Sequence, residues 1–191
     1  MKVLFISFKG GVGKSSIAFN FSAYTNSIYI TNDIIAINDD AVIQIEPKKR
    51  RIPAQYCNEA NIVFDFGAMS TQLDPKVVDA INLSDVIVIP TLSDARSLQA
   101  TIDTVYLIRP KGKPVVIIIN NFTSQPKFEK ARQHLLNTLG RMPILAIRST
   151  TLFERVSQDG RDWYQNIHND MGEYQLNKTR VLHEHIYDAI L

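Results

Sequence analysis

The residues best suited to chemistry stand together near the start of the chain, where positions 9–16 read KGGVGKSS. Gly10, Gly11 and Gly13, with Val12 between them, let a backbone curl until successive N–H groups point inward. Such a nest attracts anions, the more so where it opens a helix. Lys14 is a flexible cation able to reach the β- and γ-phosphates of a nucleotide. The Ser15 hydroxyl is a ligand for Mg²⁺, and the Ser16 hydroxyl can bond a phosphate oxygen nearer the base. The usual spacing, G-x-x-x-x-G-K-[ST], would place its first glycine at Phe8, and a second lysine, Lys9, follows at once. Without a ligand the same residues are a glycine-rich turn; a strand before them and a helix after them is the context that favours phosphate.

That context is present. KVLFISF precedes the loop, and SIYIT, NIVFDF, DVIVIPT, PVVIIIN and PILAI follow as further apolar runs. Most are apolar on both faces, as strands of a covered parallel sheet are. Helical patterns lie between them at 14–25, 74–83, 94–109 and 126–139, with a last one at 178–190. The alternation predicts an α/β fold, a doubly wound, mainly parallel sheet flanked by helices, in a single domain over residues 1–191. Ligands of such sheets sit beyond the carboxyl ends of the strands. The expected site therefore gathers Lys9 onward, Asn32 and Asp33, Asp65 to Gly67, Thr91, Asn120 and Asn121, and the loop after Ile147. Asp65 closes an apolar run, where a carboxylate holds a water of Mg²⁺ or else caps a helix. Gly67 could offer its N–H to a γ-phosphate, so that its loop senses hydrolysis.

KGGVGKSS resembles the deviant Walker A motif of the ParA/MinD family of P-loop ATPases, in which the early lysine is the signature. NIVFDFGAMS resembles that family's Walker B and switch II stretch, LSDVIVIPT its next strand, and LAIRSTTLFERVSQDGRDWYQ its late base-wrapping segment. The short ParF-like plasmid partition proteins are the most similar in length and motifs; the resemblance lapses between about residues 34 and 60. It implies ATP and Mg²⁺ as cofactors and a homodimer closed around ATP, with Lys9 reaching the partner's nucleotide and higher assemblies open. The second strand of the family ends in D-x-D, often followed by Pro-Gln. Here the stretch reads Thr31-Asn32-Asp33, so Asp33 takes the place of the water-positioning aspartate, Thr31 replaces the first, and Pro-Gln is missing. Slow hydrolysis is the consequence expected, because positioning is most of what phosphoryl transfer asks of a protein. The guanine-reading Asn/Thr-Lys-x-Asp element of related GTPases is absent, since its place reads NNFT. Adenine is favoured, bonded by Asn120 or Asn121, unless these merely close a strand.

The resemblance also implies non-specific DNA binding by the ATP-bound dimer, a centromere-binding adaptor protein as partner, and a nucleoid-associated role in the cytoplasm. A net charge of +2 leaves DNA affinity to local patches. The densest is Lys48, Lys49, Arg50 and Arg51 in EPKKRRIP, whose other reading is a solvated loop; Arg148, Arg155 and Arg161 are alternatives. A MinD-like spatial regulator is the second functional reading. Against membrane attachment, Val181, Leu182, Ile186, Ala189 and Ile190 form a core-facing stripe, and His183, Glu184, His185 and Asp188 opposite them are not the basic face of an interfacial helix. No segment approaches the ~20 apolar residues of a membrane span, and MKVLFISFKGG reads as a strand rather than a signal peptide. The one cysteine, Cys57, excludes an internal disulfide framework and a metal cluster held by this chain's cysteines alone.

Overall fold

The computed structural model describes residues 1–33, 39–46, 48–67, 73–150 and 184–191. Seven strands form one sheet: β1 (Lys2–Phe5), β2 (Ile28–Thr31), β3 (Val42–Gln44), β4 (Ile62–Asp65), β5 (Val86–Thr91), β6 (Val115–Phe122) and β7 (Ile144–Arg148). Their spatial order is β3-β2-β4-β1-β5-β6-β7, and every pairing is parallel. Helices α1 (Lys14–Tyr24), α2 (Ala54–Cys57), α3 (Pro75–Leu83), α4 (Ala95–Ile108) and α5 (Gln125–Leu139) connect them. The doubly wound parallel fold expected from the sequence is the fold observed.

Alternate strand residues feed two separate cores, as the two-fold side-chain repeat of a strand requires. Val3 and Phe5 of β1, Val63 of β4, Val88 of β5 and Ile118 of β6 pack with Ile17, Phe19 and Phe21 of α1. Leu4, Phe64, Ile87 and Ile117 face the other way, toward Val77 and Ile81 of α3, Leu98 and Ile102 of α4 and Leu135 of α5. Both faces being covered explains why the strands read as unbroken apolar runs. Helix α1 is buried around most of its circumference, since residues 184–188 are also helical and lie over it. There Ile186, Tyr187 and Ile190 are buried, and the Tyr187 ring stands 5.5 Å from that of Phe21 and 5.4 Å from that of Tyr24.

That docked segment corrects one detail of the expected stripe. Ala189 is exposed and Tyr187 is buried in its stead. The helix ends at residue 188, and an aromatic ring removes far more apolar surface from water than a methyl group. Val181, Leu182 and His183 lie outside the described residues, as does the late segment from residue 151 onward, including Arg155 and Arg161. Among the described residues no helix is long and apolar enough to cross a membrane. Among the described residues three elements went unpredicted: the edge strand β3 and the single-turn α2, both inside the stretch where the resemblance lapses, and a 3-10 turn at Arg109–Lys111.

The helix starts follow local rules. Asp74 accepts from the Lys76 N–H, with Pro75 at the first helical position of α3. Asp94 accepts from the Ser97 N–H at the start of α4. Helix α1 instead starts from Gly13, at φ 82° and ψ 17°, with no side-chain cap. Its first amides thus have no side-chain acceptor at the cap.

Candidate functional site

Because all strands are parallel, their carboxyl ends share one edge of the sheet, and β1 stands between β4 and β5 there. A cleft of about 260 Å³ opens at this edge. Lys9, Gly10, Gly11, Gly13, Lys14, Ser15 and Ser16 line it from the loop after β1; Asp33 lines it from the loop after β2 and Gly67 from that after β4. Nine residues singled out in the sequence thus meet around one hollow. Val12 is buried beneath the loop, and Thr91 is buried with its hydroxyl donating to the Leu92 carbonyl.

At the floor of the site Asp65 is fully buried. Its Oδ1 accepts from the Lys14 ammonium, and its Oδ2 accepts from the Tyr29 hydroxyl. Lys14 Nζ also lies 3.4 Å from Ser15 Oγ. The loop lysine is therefore folded back onto the carboxylate, its charge compensated in a place where an unpaired ion would be costly. Burial first, and then the charge of Asp65, push the Tyr29 phenol far above its ordinary range, so it stays a neutral donor.

Asp65 and Ser15 suit Mg²⁺, which takes one or two protein oxygens and fills its remaining positions with water and phosphate. A cation, the Lys14 ammonium, already contacts Asp65 Oδ1 and lies near Ser15 Oγ. Among the described residues no group of three or more His, Cys, Asp or Glu side chains could hold a metal on its own. The donor set fits a metal brought in with a nucleotide.

The loops after β2 and β4 are tied to each other. Gly67 N–H donates to Asn32 Oδ1 at 2.8 Å, and Asp33 N–H donates to Thr31 Oγ1 at 3.0 Å. A Cβ on Gly67 would come within 3.0 Å of Asp33 Oδ1, so glycine is what allows the aspartate this close. The sequence marks Asn32 only as a strand end, yet it holds the amide expected to engage a γ-phosphate. The sequence marks Tyr29 only as part of a strand; a tyrosine in an aliphatic strand, two residues from its end, is the available signal.

The asparagines stand differently from each other. Asn120 donates from Nδ2 to the Val12 carbonyl at 3.0 Å, and its Oδ1 accepts from the Asn121 N–H at 2.8 Å. Its side chain braces the loop from below, whereas Asn121 is exposed, with φ at 54°. Neither lines the cleft. Lys9 is exposed, and its ammonium donates to the Gly10 carbonyl at 3.2 Å.

The basic run follows β3, which puts it on the same edge of the sheet as the cleft. Lys48, Lys49 and Arg50 are exposed and make no ion pair among the described residues. Arg51 pairs with Asp79 of α3. Arg148 is exposed at the end of β7.

No protein-family model matches the sequence, and no curated protein matches it. Solved structures do match in shape. The Pyrococcus furiosus cell division ATPase MinD superposes with a TM-score of 0.67 at 12% identity, covering 98% of each chain. MinD of Pyrococcus horikoshii, solved with Mg-ADP, gives 0.60 at 13% identity over 86% of this chain and 87% of its own. A plasmid partition protein of Borrelia burgdorferi B31, solved with AMPPNP, gives 0.59 at 15% identity over 84% of this chain and 89% of its own. The chain has the fold of the ParA/MinD-type P-loop ATPases.

Proposed function

We propose that the chain is a single-domain, Mg²⁺-dependent ATPase of the ParA type, one that dimerises around ATP and drives segregation of plasmid or chromosomal DNA. The observation that carries this reading is the convergence of Lys14, Ser15, Asp33 and Gly67 on one cleft, with Asp65 buried beneath it against Lys14 and Lys9 exposed in its lining. When nucleotide enters, the α1 amides and loop N–H groups receive the phosphates, and Lys14 leaves Asp65 for the terminal ones. Mg²⁺, held through Ser15 and Asp65, would neutralise charge on the β- and γ-phosphates. Asp33 orients the attacking water. Gly67 N–H exchanges Asn32 for the γ-phosphate, and hydrolysis releases it, loosening the dimer. Lys9 reaches the partner's nucleotide, and Asn120 or Asn121 reads adenine. The exposed cations Lys48 to Arg50, with Arg51, contact DNA phosphates, and a centromere-binding adaptor accelerates turnover.

A MinD-like spatial regulator with little DNA binding is the second reading. The whole-length match to an archaeal MinD favours it. The burial of Ile186, Tyr187 and Ile190 argues against that segment serving as a membrane anchor.

Sedimentation velocity with ATP, ADP or no nucleotide, beside a gel shift on arbitrary duplex DNA, tests the proposal. The expected result is dimer and DNA complex with ATP alone, and a Lys9→Ala variant that binds ATP yet stays monomeric. A dimer indifferent to nucleotide, or a Lys9→Ala variant that dimerises like the parent, overturns it. An ATP-dependent dimer that ignores DNA selects the second reading.

A further inference from the structure

A hydroxyl donor sits beneath the carboxylate assigned to the metal, on a strand remote from it in sequence. We propose that Tyr29 is a positioning residue for the Mg²⁺–nucleotide complex: its hydroxyl holds Oδ2 of Asp65 and so presents Oδ1 to the cleft. The proposal rests on the reading of the cleft as a Mg²⁺–nucleotide site.

Register supplies the geometry. Tyr29 pairs with Val63 and Thr31 with Asp65, so the phenol reaches diagonally across to the residue two places further along β4. Such diagonals lie within the span of an aromatic side chain. The ring is held by Phe19 of α1, edge-on at 5.2 Å and 89°, and is almost wholly buried. Phe19 belongs to the helix that begins with Lys14 and Ser15. Tyr29 therefore ties the helix carrying the loop lysine and serine to the strand carrying the acid.

A terminal carboxylate torsion is broad and nearly two-fold, so nothing intrinsic fixes which oxygen faces the cleft. With Oδ2 engaged by Tyr29 and Oδ1 by Lys14, the rotation is set from both sides. When Lys14 turns to phosphate, only the tyrosine remains among these two contacts to hold the orientation. Losing a partner of this outer kind commonly costs roughly ten- to a hundredfold in metal affinity or activity. A phenylalanine would fill the same space against Phe19; the hydroxyl is what the packing alone does not require.

The test compares wild type with Tyr29→Phe in binding a fluorescent ATP analogue, titrating Mg²⁺ and repeating the binding in EDTA. The expected result is unchanged affinity in EDTA and a Mg²⁺ midpoint raised on the order of tenfold. Val116→Ala, a truncation in the same core away from the cleft, should leave the midpoint where it is. Should Tyr29→Phe not fold, wild-type protein labelled at tyrosine Cζ answers by NMR: ATP in EDTA moves the Tyr29 signal as Lys14 leaves Asp65, and added Mg²⁺ moves it further. A folded Tyr29→Phe variant with an unaltered Mg²⁺ midpoint, a Val116→Ala variant shifted as far, or a Tyr29 signal indifferent to Mg²⁺ overturns the proposal while leaving the nucleotide site standing. Wild-type protein that binds no nucleotide with Mg²⁺ overturns the nucleotide site and this proposal with it.

Discussion

Replacing Gly13 by alanine should damage the protein in a way that Gly10→Ala does not, and the difference can be worked from two positions in one loop. Gly13 has φ at +82°, and an added Cβ would fall 2.2 Å from Asn120 Nδ2. The left-handed backbone costs a non-glycine residue roughly 1–2 kcal/mol. The overlap must be relieved by moving Asn120, which loses its bond to the Val12 carbonyl, about 1 kcal/mol more. The expected loss is therefore ~2–3 kcal/mol, a fall in Tm of roughly 5–10 °C for a chain of this size. At Gly10 an added Cβ meets nothing within 4 Å, and its φ is not in the left-handed range. Gly10→Ala should stay within about 0.5 kcal/mol of the parent.

A double-mutant cycle separates the two causes. Asn120→Ala alone removes the brace, and in its presence Gly13→Ala meets no side-chain amide. The double variant should be more stable than the sum of the singles by about 1 kcal/mol, leaving the backbone strain behind. Urea unfolding followed by far-UV circular dichroism gives all the values, and ATP-analogue binding on the same samples reports the loop. If Gly13→Ala and Gly10→Ala cost the same, or if the cycle is strictly additive, the role given to Asn120 is wrong.

Other expectations follow from charge. With Lys48, Lys49 and Arg50 in no ion pair among the described residues and Arg51 shared with Asp79, three phosphate contacts per subunit predict a log–log salt slope of about −2.7 for ATP-dependent DNA binding, against about −3.6 if all four cations engage. Replacing Lys48, Lys49 and Arg50 by alanine should flatten the slope to about −0.9 or less without altering ATP binding; an unchanged slope in fluorescence anisotropy places the DNA surface elsewhere. Asp94 accepts from Ser97 Oγ and Ser97 N–H, and these bonds hold its carboxyl below the ordinary value. Its folded-state value being the lower, the stabilisation is complete above the unfolded-state pKa and fades as the pH falls through the folded one. Asp94→Ala should thus lose about 1 kcal/mol near neutrality and converge with the parent in acid; a gap that widens in acid contradicts this.

What the sequence made legible runs along the chain. The apolar runs are two-faced because both sheet faces are covered, and the loop is spelled out in consecutive residues, so both could be read without coordinates. The edge strand β3 could not: it has three residues, partly exposed, and no run of its own. Relations across strands were hidden for a different reason. Strands β2 and β4 are neighbours although β3 and α2 intervene, so the Tyr29–Asp65 contact has no spacing that marks it. Asn120 likewise sits 108 residues from the carbonyl it braces. Thr31 has a local role that the motif alone does not spell out. In place of an aspartate it reads as a loss, yet its Oγ1 accepts the Asp33 N–H and sets the turn that brings Asp33 to the cleft. A short hydroxyl suffices for that local bond. Thr31 is itself buried and paired in register with Asp65, so the group beside the acid on β2 is an uncharged hydroxyl.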